Sequence, residues 1–308
     1  MRVVVTGGTG LIGHELVMSL GKDGHEVYVV SRNPHQKGPM PESIHFVKWD
    51  AETAEGWGEV VDGADAVVNL AGASINGDGF LPERWTRERK DVILKSRLKV
   101  GKAVTEAIEQ AATKPKVLIQ ASAVGYYGMH PHNEVITEDY PAGEDFLADV
   151  CQQWEDSTAA VEEMGVRRCI IRTGIVLSDE GGALPRLIVP FQMFAGGPIA
   201  GGKQPFPWIH MADQVGAIRH LIEETDMGGA FNLAAPEPPT NAEFSKAVGK
   251  AINRPAFIPT PGFVFEMAFG EVAVLLTKGQ NTPPTRLQEA GYTFTFTDAQ
   301  AAVADLYG

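Results

Sequence analysis

The stretch Val5-Thr6-Gly7-Gly8-Thr9-Gly10-Leu11-Ile12-Gly13 admits few folds. An apolar run from Arg2 to Val5 leads at once into glycines spaced three apart, Gly7, Gly10 and Gly13. A helical pattern from Leu11 to Leu20 follows. Gly7 permits a tight turn, Gly10 lets a diphosphate approach the backbone, and Gly13 lets a helix pack closely on a sheet. Free N–H groups at the helix start, around Leu11 and Ile12, then face the phosphates, with Thr9 in the same turn. Such glycines alone also fit a flexible surface loop. Here they lie inside a complete strand-helix-strand unit, and that context predicts a dinucleotide site.

The rest of the chain repeats the alternation. Gly24 ends the first helix, and Val27–Val30 reads as a second strand. Ile44–Val47 reads as a third, ending near Asp50, and Ala66–Leu70 as a fourth. A charged helix is predicted over 82–111, a fifth strand over Val117–Ala121, a helix over 145–164, and a sixth strand over Cys169–Arg172. The strands are nearly continuous apolar runs, as expected of a parallel sheet buried on both faces. The predicted class is α/β, a doubly wound parallel sheet. After Leu177 the texture turns rich in Gly and Pro (GGALP, AGGPIAGGKQPFPW, PEPPT, PTPG). This predicts a dinucleotide domain over 1–177, with part of 212–236 returning to it. The segments 178–211 and 237–308 would form a smaller, interleaved substrate-side domain.

The end of the second strand selects the dinucleotide. A binder of the 2′-hydroxyl usually places Asp or Glu there, whereas this chain reads Ser31-Arg32-Asn33. Arg32 can pair with a 2′-phosphate, which favours NADP(H) over NAD, although it also fits a plain surface arginine. Asp50 is a candidate for the adenine amino group or for a helix cap. Leu70, Ala71 and Gly72 end the fourth strand with little bulk, so that backbone can lie against the ribose and diphosphate. A net charge of −13 disfavours nucleic acid. No apolar run is long enough to span a membrane. Two cysteines in unlike contexts suggest no disulfide framework and favour the cytoplasm.

TGGTGLIG, NLAG after the fourth strand and PWIHMADQVGAI together resemble the extended short-chain dehydrogenase/reductase superfamily, whose Rossmann-fold members include sugar-nucleotide epimerases. Arg84-Trp85, Lys90, Ser96-Arg97, SAVGYYG, QQWE, GGALP, GGPIAGGKQPFPWIH and GQNTPP…GYTF narrow the likeness to an atypical branch. That branch comprises epimerase-family proteins (cell-division-inhibitor-like nucleotide-sugar epimerases) with a C-terminal domain of unknown function. The resemblance covers essentially the whole chain. It implies a tyrosine activated by a lysine four residues on, exchanging a proton with the substrate while nicotinamide exchanges hydride.

This chain lacks that pair. Its six tyrosines are followed at the fourth position by Arg32, His130, Pro131, Glu144, Phe296 or nothing, and no lysine lies between Lys116 and Lys203. Matching Glu155 to the superfamily's helix glutamate puts Leu147 at the tyrosine position and Cys151 at the lysine position. Ser122, at the fifth strand's end, could orient a substrate oxygen, although the ungapped match falls on Ala123. Tyr126 and Tyr127 are candidate acids, or the walls of the pocket. The missing lysine favours walls.

Lys90 and Arg97 are seven apart and share a helix face, which could hold an anionic substrate or the cofactor phosphates, or simply be solvated. Cys151 could be reactive in place of the lysine, but a lone cysteine on an apolar helix face reads more readily as core. His130 and His132 lack further ligands at zinc spacing, so no metal site is expected. Trp208 and His210 are candidates for the cleft edge, Asp213 for a tie between domains, and Lys203 and Gln204 for a substrate phosphate or a plain turn. The expected function is an NADP(H)-dependent oxidoreductase or epimerase-like activity on a small, nucleotide-sugar-like substrate. The alternative is a cofactor-binding sensor or regulatory protein without chemistry.

Overall fold

The computed structural model describes residues 1–34, 38–77, 79 and 81–308. The first half alternates strand and helix: β1 (Arg2–Thr6), α1 (Leu11–Lys22), β2 (Glu26–Ser31), β3 (Ile44–Lys48), β4 (Ala66–Asn69), α2 (Arg87–Gln110), β5 (Val117–Ala123), α3 (Phe146–Asp156) and β6 (Arg167–Thr173). Then come β7 (Ile175–Leu177), α4 (Leu184–Gln192), β8 (Trp208–His210), α5 (Met211–Glu223) and β9 (Gly229–Leu233). The remainder is helical: α6 (Asn241–Ala251), α7 (Gly262–Phe269), α8 (Val274–Thr277), α9 (Thr285–Glu289) and α10 (Ala299–Tyr307).

Seven strands form one parallel sheet in the order β3-β2-β1-β4-β5-β6-β9. The chain winds outward from β1 in one direction to β3 and in the other through β4, so the order reverses between β1 and β4. A doubly wound Rossmann-type sheet opens a ligand crevice at the C-terminal strand ends beside this reversal. Apolar cores cover both faces. One is built on Val3, Val5, Leu16, Leu20, Ile171 and Phe231, the other on Val4, Val67, Val104, Ile108 and Leu118. Burial on both faces is why these strands read as unbroken apolar runs.

Several boundaries differ from expectation. The charged helix begins at Arg87, because the Thr86 side chain accepts from the Arg89 N–H and caps it; residues 82–86 stay in a loop. The helix expected to reach 164 stops at Asp156. There the Ser157 hydroxyl donates back to the Trp154 carbonyl, and Gly101 of α2 crosses so closely that a Cβ would sit 1.8 Å from Ser157 Oγ. A seventh strand, Gly229–Leu233, joins the edge beside β6. It starts on a glycine of positive φ, so it carries little strand signal.

Residues beyond Leu177 divide between two bodies. Leu184, Ile188, Phe206, Trp208, Phe244, Val248, Ala302 and Val303 form a separate core under the paired β7 and β8. α5 returns to the first body, where Arg219 donates to Ser19 (2.9 Å) and Asp23 (2.6 Å) around α1. The tail was expected to lie wholly in the smaller domain, but part of it also returns. Leu287 enters the sheet core, and Arg286 donates to Ala230 O (2.7 Å) and Gly228 O (2.6 Å) along the edge strand β9. An unpaired edge strand needs such partners. Asp213 ties α5 to this tail. It is fully buried and accepts from the Tyr292 hydroxyl (3.0 Å) and from the N–H groups of Thr295 (2.7 Å) and Phe296 (2.9 Å).

Candidate functional site

The glycine turn is a cradle that side chains would fill. Gly7 has φ +74, and a Cβ there would meet the backbone of Ala71 and Leu70 at 2.8 Å. A Cβ on Gly13 would lie 2.3 Å from the Gly7 carbonyl, so α1 rests directly on the turn. The turn closes with Gly10 N–H to Gly7 O (2.9 Å), and the first helical bond is His14 N–H to Gly10 O (2.8 Å). The N–H groups of Leu11, Ile12 and Gly13 therefore have no intrahelical acceptor. Gly10 caps α1 without a side chain, and the first turn carries no acid. This end of α1 suits an anion.

Neighbouring residues frame the cradle. Thr9 Oγ1 lies 3.4 Å from Ser31 Oγ and joins the turn to the end of β2. Arg32 follows, exposed, with no polar partner among the described residues. Leu70 N–H donates to Thr6 O (3.1 Å), which lays Leu70 and Ala71 against Gly7. Below the crevice, Thr6, Asn69 and Gln120 form a buried polar row, with Thr6 Oγ1 to Asn69 Oδ1 at 2.7 Å and Asn69 Nδ2 to Gln120 Oε1 at 2.9 Å. Asp50 is exposed and closes its own turn. Its carboxylate accepts from Thr53 N–H (3.0 Å), Glu52 N–H (2.7 Å) and Thr53 Oγ1 (3.0 Å), and these bonds hold it below the usual carboxylate range. No helix starts at Asp50, so its carboxylate closes a local turn rather than capping a helix.

The chain following β5 is a short 3₁₀ turn, Val124–Tyr127, and its hydroxyls are unequally placed. Ser122, Arg172 and Asn232 stand in register across β5, β6 and β9. Ser122 Oγ donates to Glu155 Oε1 of α3 (2.6 Å), and the same carboxylate takes Arg172 Nε (3.0 Å) and Nη2 (2.9 Å) in a buried, two-pronged pair. Burial works against the Arg172 charge, but the Glu155 carboxylate outweighs it and raises the pKa. Arg172 Nη1 also donates to Tyr127 Oη (3.1 Å) and to Glu138 O (3.0 Å). The Tyr127 hydroxyl in turn donates to Asn232 Oδ1 (2.7 Å). Tyr127 is fully enclosed, and burial pushes it up to about 12. The Tyr126 ring lies face-on to the Arg172 guanidinium, 3.4 Å from centroid to Cζ. Tyr126 is half-buried, and its hydroxyl has no hydrogen-bond partner among the described residues.

The positions matched to the superfamily's tyrosine and lysine are apolar. Leu147 packs under Gly125, and Cys151 is buried with its thiol 3.8 Å from Ala123 O. Burial raises that thiol to about 11, which suits a core residue rather than a nucleophile.

Lys90 and Arg97 do not converge on one ligand. Arg97 Nη1 donates to Ala73 O (3.0 Å) and Ile93 O (2.9 Å) beside Gly72, and the guanidinium stacks on Trp154 at 4.7 Å. Burial lowers it to about 10, so it stays charged at neutral pH. Lys90 pairs instead with Glu271 and lies 4.8 Å over the Phe146 ring.

Two further expectations, for Trp208 and Gln204, need correction. Trp208 is enclosed in the smaller core and borders no cleft, whereas His210 caps α5 through Nδ1 accepting from Ala212 N–H (3.1 Å) and lines a pocket with Ser178, Met211 and Arg219. Gln204 is buried and bonded to Ile199 O (3.0 Å) and Leu276 O (3.1 Å) rather than free for a phosphate. His130 is held between Tyr127 O (2.7 Å) and Glu134 (3.3 Å). Among the described residues no cluster of three metal-ligating side chains occurs.

The Glu155–Arg172–Asn232 network was the main feature missed. Its one sequence signal is an arginine ending the apolar strand CIIR, since a charge there demands a buried partner.

Known proteins share this fold. The NAD-dependent epimerase/dehydratase family matches residues 3–234, and a domain of unknown function, DUF1731, matches residues 260–306. The epimerase family protein YfhF of Bacillus subtilis is 36% identical over 306 residues, covering 99% of this chain and 98% of its own. The human epimerase family protein SDR39U1 is 37% identical over 308 residues, covering 99% of each chain. The crystal structure of human SDR39U1 (isoform 2) with NADPH superposes with a TM-score of 0.87 at 35% identity, covering 100% of this chain and 99% of that one. The chain belongs to the NAD-dependent epimerase/dehydratase family, in the branch of SDR39U1-like epimerase family proteins that end in a DUF1731 domain.

Proposed function

We propose that the protein binds NADP(H) in the glycine cradle and uses it in an oxidoreductase or epimerase-like reaction on a small substrate, nucleotide sugars included. The carrying observation is the cradle itself: a Cβ at Gly7 or Gly13 would fill it, and the N–H groups at the α1 start lack acceptors. The NADPH in the human relative's structure supports the same cofactor. When bound, the dinucleotide supplies hydride exchange at its nicotinamide ring. The Leu11, Ile12 and Gly13 N–H groups hold the diphosphate, and Arg32 meets the 2′-phosphate. Leu147 and Cys151 form a dry floor where the usual acid is missing. Tyr127 and Ser122 act as positioning residues, because their hydroxyls are committed to Asn232 and Glu155. Tyr126 is the phenol left to exchange a proton with the substrate oxygen. Both cysteines are free, in keeping with the cytoplasm.

The same committed hydroxyls favour one second reading, a cofactor-binding sensor without chemistry. Calorimetry with NADPH and NADH tests the cofactor. Arg32→Ala should weaken NADPH about 10–100-fold and NADH less than about threefold, since a charged phosphate contact contributes ~1.5–3 kcal/mol. Equal losses would refute the phosphate assignment. A panel of carbonyl compounds and sugar nucleotides, followed by reduced-nicotinamide absorbance, separates the two readings. Turnover that Tyr126→Phe abolishes supports the enzyme; no turnover with any substrate, despite tight NADPH binding, supports the sensor.

A further inference from the structure

Two cationic side chains of the loop and helix after β4 are held by one stretch of the C-terminal part. The Lys90 ammonium pairs with the Glu271 carboxylate. The Arg84 guanidinium donates to the carbonyls of Met267 and Ala268, the latter through Nε at 3.1 Å. Thus Met267 to Glu271, at the end of α7, supplies oxygen atoms to both cations. α7 buries none of its own side chains, and Phe263 and Met267 stand 60% and 73% exposed despite an apolar sequence. Anchorage to the core resumes only at Val272 and Ala273.

The two ends of the Lys90–Glu271 pair are not alike. The Glu271 side chain is 63% exposed and that of Lys90 28%. A pair with one partner mostly in water adds little net stability, so a competing anion can open it readily. Lys90 keeps a second partner when Glu271 leaves, the Phe146 ring, which meets Trp85 edge-on at 5.2 Å. Phe146 is the first residue of α3, and its neighbour Leu147 stands where the superfamily resemblance puts the proton-donating tyrosine. The ammonium is therefore held beside the candidate reaction site by contacts that do not depend on Glu271. Arg89, next to Lys90, is occupied elsewhere, by Ser74 O and by Glu83 at 3.7 Å.

We propose that Lys90 and Arg84 form a seat for an anionic group of the substrate, a carboxylate or a phosphate, which Glu271 and the α7 carbonyls occupy as internal stand-ins. The seat rests on reading this cleft as the NADP(H)-linked reaction site. Binding there is an exchange of anions: the substrate group displaces the Glu271 carboxylate and releases the end of α7, with no covalent change.

Calorimetry on the NADPH-saturated protein tests this, because the cofactor's own phosphate sites are then filled. The probes are inorganic phosphate and, separately, succinate. Glu271→Gln should bind at least one probe about tenfold more tightly than the natural chain, and Glu271→Gln/Lys90→Gln should lose that gain. The probe that gains distinguishes a phosphate seat from a carboxylate seat. No gain for either probe in Glu271→Gln, or a gain that survives in the double variant, overturns the proposal. NADPH affinity should be the same in all three proteins. Failure of NADPH to bind the natural chain would count against the cofactor reading instead, and the same titrations on the protein alone would still decide the seat.

Discussion

Replacing Glu155 with leucine should lower the thermal midpoint by about 5–8 °C, reasoning from the cost of stranding a buried arginine. The side chains of Glu155 and Arg172 are only 7% and 6% exposed, so water cannot take over as the partner. Removing one member of such a pair costs about 3–5 kcal/mol. An unfolding entropy of ~2.1 cal/mol/K per residue over 308 residues gives ~0.65 kcal/mol/K, hence about 1.5 °C for each kcal/mol. Differential scanning fluorimetry at neutral pH resolves that drop. Two further variants separate lost charge pairing from lost packing. Ser122→Ala removes one hydrogen bond to Glu155 and leaves the ion pair, so it should cost about 1 kcal/mol, or 1–2 °C. Glu155→Leu/Arg172→Met removes both charges and should recover at least half of the single variant's loss. A midpoint for Glu155→Leu within about 2 °C of the natural chain, or a double variant less stable than the single, would refute this account of the pair.

The cradle and one buried histidine make further predictions. In Gly13→Ala the new Cβ falls 2.3 Å from Gly7 O and 2.7 Å from Gly8 Cα, both backbone atoms, so the turn must open. About 1–3 kcal/mol of overpacking should appear as lost stability together with a tenfold or greater loss of NADPH affinity; Gly10→Ala, whose Cβ meets only Gly7 O at 3.2 Å, should keep its midpoint. His210 has its pKa lowered by burial, against the opposing pull of Asp305, Asp213 and Asp179. Its neutral Nδ1 caps α5, so stability is full above the free-histidine value of about 6.5 and falls below it, as only the unfolded chain takes up the proton. The midpoint should therefore fall from pH 7.5 to 5.5, and fall less in His210→Asn, whose amide oxygen can still accept from Ala212 N–H.

The parallel sheet was legible because its signals are local. Apolar runs such as AVVNL and VLIQA mark strands buried on both faces, and Gly7, Gly10 and Gly13 mark a turn that needs missing side chains. Boundaries were less legible wherever a single hydrogen bond set them, as at Thr86 and Ser157. β9 and the returning tail were not legible, because what they pair with lies far away in the chain: Asn232 with Tyr127, Arg286 with Ala230, Asp213 with Thr295.

By itself, then, the sequence determined the strand-turn-helix cradle, the absence of an acid after β2 and the absence of any lysine four residues beyond a tyrosine. Each is a matter of which residue stands at which spacing. Only the tertiary structure decided what the polar side chains do. It turned Ser122 and Tyr127 inward to a buried carboxylate–guanidinium pair, left the Tyr126 hydroxyl uncommitted, and gave Lys90 to Glu271 of a distant segment. A side chain's chemistry depends on the partners that burial forces upon it, and those partners come from across the fold rather than along the chain.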